Sequence, residues 1–147
     1  MRHKAARTGT RLSAAAALSD ADYRRIAEFR YLLRQFLAFS EEAARKAKLA
    51  PQQHQALLAI KGFSGRLSIG ELAEKLSIKH HSAVGLVDRL EDAKLLARVP
   101  NQTDKRKITL ILTPTAEKLL ESLTSAHREE LRRLAPLLKP LLAQLGS

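Results

Sequence analysis

Arg98, Lys105, Arg106 and Lys107 crowd around a single carboxylate, Asp104, and a second polar run, Lys79-His80-His81-Ser82, precedes them. Side chains of these types offer hydrogen-bond donors and positive charge. The chemistry they suit is the holding of phosphate oxygens and base edges. The whole chain carries the same bias: 26 Lys and Arg stand against 15 Asp and Glu in 147 residues, a formal charge of +11. Such a balance argues for a polyanionic partner and says nothing about fold. There is no Gly-x-Ser-x-Gly elbow, His-Glu-x-x-His pair, phosphate loop or dinucleotide fingerprint in the sequence, so an enzyme is not expected. The lack of cysteine excludes disulfides, thiolate metal sites and thiol switches. His80 and His81 would splay by about 100° on a helix, and no His-x-x-x-His pair exists. Neither a metal nor another cofactor is therefore expected. His127 falls on the apolar stripe from Leu123 to Leu131, the place of a satisfied buried or interface histidine.

The elements that must position these residues follow from periodicity. With 45% hydrophobic and 28% charged residues, the chain has the composition of one globular domain with a real core. Ser19-Asp-Ala-Asp22 is a helix start, and Ile26, Phe29, Leu33, Phe36, Leu37 and Ser40 predict a long helix over about 20–47. Pro51 opens a short second helix with Ala56, Leu57 and Ile60 on one face and Gly62 at its end; a loop follows over 61–65. Ser68-Ile-Gly-Glu71 has the form of a capping box and predicts a third helix over about 69–76. Beyond a break at Ser77, a fourth helix over about 80–93 keeps Ala83, Leu86, Val87 and Leu90 on its apolar face. It leaves Lys79, His80, His81, Ser82, Gly85 and Arg89 off that face.

Residues 95–99 and 107–112 pair as a hairpin, with Ile108, Leu110 and Leu112 alternating against Lys107, Thr109 and Ile111 and a polar loop between the strands. Thr113-Pro114 starts a long amphipathic helix carrying Leu119, Leu120, Leu123, Leu131 and Leu134. Pro136 and Pro140 are expected to interrupt it and leave a short kinked helix over 137–145. The fold class is mainly α with a small β-hairpin (α+β). The order helix, short turn, helix, strand, basic loop, strand over 68–112 is that of a winged helix-turn-helix, whose second helix enters the major groove. An ordinary solvated turn is the alternative for residues 105–107. Arg2, Lys4, Arg7 and Arg11, with no acid among them, mark residues 1–18 as a disordered basic arm; the apolar part that follows is too short for a leader. No apolar run approaches the roughly 18 residues that cross a bilayer. No membrane role is expected, and the expected location is cytoplasmic.

Leu72-Ala-Glu-Lys-Leu76, Leu86-Val-Asp-Arg-Leu-Glu91 and Asp104-Lys-Arg106 with Leu112-Thr113, in this order, resemble the MarR family of bacterial transcription regulators over about 20–135. The resemblance implies a homodimer, with residues 19–62 and 113–147 as dimerisation helices and residues 63–112 as the winged helix-turn-helix. The long apolar stripes permit this, because a twofold dimer would bury them. The resemblance also places Arg106 in the minor groove, oriented by a charge-assisted pair with Asp104, and assigns the DNA-facing positions to Lys79, His80, His81, Ser82 and Gly85. Arg98, Lys105 and Lys107 complete the expected DNA-binding set. Two residues depart from the family pattern. Gly85 stands where many relatives have a larger polar or basic side chain. Lys94 replaces the usual glycine at the end of that helix, so it either turns left-handed or the helix closes differently. Arg89 either touches a phosphate or braces the wing.

Effector pockets in similar proteins lie between the dimerisation helices and the DNA-binding lobe. Here that points to Phe36, Phe39, His54 and Leu58 as the lining for a small aromatic or anionic compound, with plain core packing as the alternative. The sequence thus reads as a sequence-specific DNA-binding regulator, a repressor, that binds near-palindromic duplexes as a homodimer and is released by an effector. A sequence-tolerant architectural or nucleoid protein is the alternative, and a protein-interaction module a further one.

Overall fold

The computed structural model describes residues 17–63 and 66–145. The expected basic arm falls almost wholly outside these residues, as does the end of the 61–65 loop. Five helices and one hairpin follow in order: α1 (Asp20–Lys46), α2 (Pro51–Gly62), α3 (Ile69–Leu76), α4 (His80–Asp92), β1 (Leu96–Pro100), β2 (Ile108–Leu112) and α5 (Pro114–Gln144). No described helix is long and apolar enough to cross a membrane.

Local chemistry sets the helix starts. Ser19 with Asp22 and Ser68 with Glu71 form reciprocal capping boxes, in which the hydroxyl accepts the N3 amide and the carboxylate accepts the cap amide. Thr113 does two things at once: its Oγ1 accepts from the Ala116 amide at 3.2 Å and donates to the Lys94 carbonyl at 2.8 Å, which ties the start of α5 to the end of α4. Pro51 and Pro114 occupy first-turn positions where no amide hydrogen is needed.

Lys94 resolves the choice left by the sequence. It sits at φ 60°, and the Leu95 amide donates to the Leu90 carbonyl at 3.0 Å, so the helix closes as it would with glycine. A side chain in this region costs about 1–2 kcal/mol, of which glycine's larger unfolded-state entropy returns part. Lys94→Gly is therefore expected to stabilise the protein by about 0.5–1 kcal/mol. Urea unfolding should show a higher midpoint at unchanged slope, and an unchanged or lower midpoint refutes the assignment.

Leu57, Ile60, Leu72, Leu86, Val87, Leu90 and Leu110 are fully buried and pack α2, α3, α4 and β2 into one core. The strands run antiparallel in a register from Leu96 opposite Leu112 to Pro100 opposite Ile108. The expected alternation holds at Leu110, Ile111 and Leu112 and reverses before them: Ile108 is exposed and Thr109 buried. There the hairpin leaves the core, and Asn101 Nδ2 reaches Thr109 Oγ1 at 3.5 Å. The Leu110 amide also donates to the Leu67 carbonyl at 2.8 Å, so the segment entering α3 is fastened to the hairpin.

The expectation of an interrupted last helix is corrected. α5 is continuous through both Pro136 and Pro140. Both prolines stand on its exposed side, where water can take the carbonyls they leave without partners, while Leu134 is fully buried on the opposite side. Arg25 Nε of α1 donates to Gln144 Oε1 at 3.1 Å and fastens the far end. Within one chain α1 buries only Leu32 and Ala44, and Tyr23, Ile26, Tyr31, Leu33 and Leu37 remain exposed beside Leu131, Leu137 and Leu142 of α5.

Candidate nucleic-acid interface

The buried stripe Ala83, Leu86, Val87 and Leu90 fixes the rotation of α4 about its axis. That rotation leaves His80, His81, Ser82 and Arg89 exposed and Gly85 half-buried on the outer side, with Lys79 exposed at the N-cap. Lys79 makes no side-chain cap, so the first-turn amides of α4 remain open beside His81 and Ser82. Lys79, His80, His81 and Ser82 thus cluster at the N-terminal end of α4, with Gly85 one turn further along on the side of His81 and Ser82.

Arg98 behaves otherwise. Its guanidinium projects from β1 between two carboxylates one turn apart on α4, with Nη2 at 2.6 Å from Asp88 Oδ1 and Nη1 at 2.7 Å from Glu91 Oε1. The side chain is 24% exposed. Its hydrogen bond to Asp88 holds the guanidinium above its ordinary range, and the charges of Glu91 and Asp88 add to this against the cost of burial. Arg98 was expected among the DNA contacts, but its donors are engaged within the protein. The brace between wing and helix, one of the two roles expected for Arg89, is supplied by Arg98. Arg89 stays exposed.

The loop between the strands is built on Asn101. Its Oδ1 accepts from the Thr103 amide at 2.9 Å, the Thr103 hydroxyl at 2.7 Å and the Asp104 amide at 3.2 Å, and its own amide donates to the Lys107 carbonyl at 2.8 Å. This is an Asx turn, and the Pro-Asn pair at 100–101 was its available sequence signal. Asp104 Oδ1 accepts from the Arg106 amide at 3.1 Å, whereas the Arg106 Nε lies 3.9 Å away, beyond hydrogen-bond range. The aspartate shapes the backbone under the arginine more than it grips the guanidinium, whose side chain is 97% exposed. Lys105 and Lys107 are exposed beside it.

A cleft of about 600 Å³ lies where α1, α2 and α5 meet. Phe36, His54 and Leu58, three of the four expected pocket residues, line it together with His127, Arg128 and Leu131. The fourth, Phe39, is corrected: its ring packs edge-on against His127 at 5.4 Å between centroids and lies outside the lining. His127 is buried and satisfied, as its place on the stripe suggested. Its Nδ1 lies 2.6 Å from the Leu123 carbonyl, which can only accept, so Nδ1 carries a hydrogen; Nε2, at 2.8 Å from Ser40 Oγ, accepts in the neutral ring. Ser40 is the partner that sequence reasoning missed, since it lies 87 residues away along the chain. The His54 ring stands 4.8 Å from His127 between centroids. Burial, and then the neighbouring His127, push the His54 pKa below its usual value. No cluster of metal-ligating side chains occurs among the described residues.

A helix pair followed by a braced, basic-tipped hairpin defines a winged helix-turn-helix protein. The MarR family model matches residues 48–107. The chain is 32% identical over 109 residues to the HTH-type transcriptional regulator FarR of Neisseria gonorrhoeae, covering 69% of this chain and 74% of FarR. To the HTH-type transcriptional repressor MdtR of Bacillus subtilis it is 30% identical over 92 residues, covering 63% of this chain and 59% of MdtR. The first curated relatives are matched over about half of their length. Among solved structures, a MarR family protein from Bacillus stearothermophilus superposes with a TM-score of 0.67 at 24% identity, covering 84% of each chain. The chain belongs to the MarR family of transcriptional regulators, a family of regulators rather than enzymes.

Proposed function

We propose that this protein is a sequence-specific transcriptional repressor that binds near-palindromic duplex DNA as a homodimer and is released by a small-molecule effector. The observation that carries the reading is the pairing of the exposed α4 side, bearing His80, His81 and Ser82, with a wing whose Arg106 is 97% exposed. One reaches a major groove while the other reaches the adjoining backbone or minor groove. Lys79, Arg89, Lys105 and Lys107 add positive charge to the same surface, Gly85 allows close approach, and Asp104 with Arg98 sets its shape. The regulators' name for MdtR, a repressor, favours the sign of the output.

Residues 19–62 and 113–147 supply the dimer in this reading, and the apolar side chains exposed on α1 and α5 support it. Two copies of α4 would then lie about one helical turn of DNA apart. The cleft holding Phe36, His54 and Leu58 suits a small compound with an aromatic body, and Arg128 at its edge suits an anionic group. An effector acts by preferring a lobe spacing that mismatches DNA.

Selection from random duplexes by the full chain at roughly physiological salt tests this directly. Enrichment of a twofold-symmetric site is the expected result. Uniform recovery replaces this reading with the architectural one. On the selected site, Arg106→Ala should weaken binding severalfold on every sequence and flatten the salt dependence by about one unit of slope. His81→Ala should change base preference more than bulk affinity. An equal, sequence-independent loss from both substitutions would remove the division of labour between helix and wing.

A further inference from the structure

Gly85 leaves a bare stretch of helix one turn before Arg89. Helical side chains lean toward the N-terminus, so a residue covers the turn that precedes its own Cα. Arg89 does this here: a Cβ built on Gly85 would stand 3.5 Å from Arg89 Nη1. The guanidinium therefore lies over the middle of the exposed side of α4, one turn closer to His81 and Ser82 than its own position suggests. Its carboxylate neighbours are engaged elsewhere, since Asp88 and Glu91 both pair with Arg98. Among the described residues, no hydrogen bond or ion pair holds the Arg89 guanidinium.

We infer that Arg89 is a base-reading residue, recognising guanine in the major groove from the place that Gly85 leaves open. The chemistry is that of a planar fork of donors, which matches the O6 and N7 acceptors of guanine in two parallel hydrogen bonds. A phosphate contact would need no such approach to the helix surface, because an arginine at this position can reach a backbone by extending away from the helix. Gly85 then acts through Arg89. A side chain there would occupy the space the guanidinium uses, and glycine serves the site by its lack of one. The inference rests on the proposed function, since it assigns one base within the site that α4 reads.

Selection from random duplexes is repeated with Arg89→Ala, Arg89→Lys, Gly85→Ala and Gly85→Gln, each checked for the thermal transition of the parent chain. The parent should select guanine at one symmetry-related position in each half-site. Arg89→Ala and Arg89→Lys should lose that preference by about tenfold or more, the range a bidentate arginine–guanine pair supplies, and keep the preferences at other positions. At 3.5 Å, Gly85→Ala makes only ordinary contact with the guanidinium and should retain the preference, whereas Gly85→Gln should displace the arginine and change the base selected at the same position. A uniform loss on all sequences from Arg89→Ala, with a shallower salt dependence, makes Arg89 a phosphate contact and overturns the inference. So does a guanine preference that survives both Arg89 variants. If the parent chain selects no site at all, the proposed function fails first and the inference falls with it, and the two failures are told apart by the parent alone.

Discussion

Arg98→Ala is expected to weaken binding to the selected duplex by about tenfold or more, a larger loss than removal of the exposed Arg106. Tenfold corresponds to about 1.4 kcal/mol of binding free energy. The cause is what the substitution leaves behind. Asp88 and Glu91, with side chains 56% and 42% exposed, lose their common partner and become uncompensated negative charges on α4, the helix proposed to enter the DNA groove. The wing loses its tie to α4 at the same time. The expected cost to stability is smaller, about 1 kcal/mol, since partly exposed ion pairs are screened. Adding Asp88→Asn and Glu91→Gln to Arg98→Ala separates the possible causes. If the stranded charge is responsible, the triple variant should recover most of the affinity. If it recovers none, the stranded charge is not the cause, and the loss belongs to the broken tie or to a DNA contact made by Arg98 itself. Arg98→Lys keeps the charge but cannot span both carboxylates, and should fall between the parent and Arg98→Ala.

That brace shows where a sequence stops being informative. The capping box at Ser68 and Glu71 was legible because both partners lie within one turn, and the recognition-helix stripe was legible because Ala83, Leu86, Val87 and Leu90 repeat at the helical period. Arg98 carried only its charge. Its pairing with Asp88 and Glu91 depends on how the hairpin leans against α4, which no local pattern encodes. Proline at 136 and 140 misled for the same reason in reverse: the local rule against proline inside a helix is sound, yet α5 tolerates both residues because they face water and Leu134 anchors the opposite side. The family resemblance pointed to Asp104 as the group that orients the Arg106 guanidinium, but the geometry assigns the aspartate to the backbone of the turn. Gly85 was legible as a departure from the family, whereas the use of the space it leaves required the side chain of Arg89 in place.

His54 should make the protein acid-sensitive, and its replacement should relieve that sensitivity. In the folded chain, burial and then the neighbouring His127 hold the His54 pKa below its usual value, while in the unfolded chain it titrates near 6.5. Between those two values the unfolded state binds a proton that the folded state refuses. Stability from this residue is therefore fully present above pH 6.5 and is lost as pH falls toward the folded value. One such proton corresponds to a limiting slope of about 1.4 kcal/mol per pH unit. His54→Leu puts an apolar side chain among Phe36, Leu58 and Leu131 and removes the titration, so its stability should fall less between pH 7.5 and 5 than that of the parent. Urea unfolding at fixed protein concentration measures both, because association would otherwise enter the comparison. Parallel acid limbs in the two proteins would show that His54 is not the group responsible. A flattened limb would place the acid-sensitive group inside the cleft between α1, α2 and α5, so that protonation of His54 and binding of the proposed effector there would be linked.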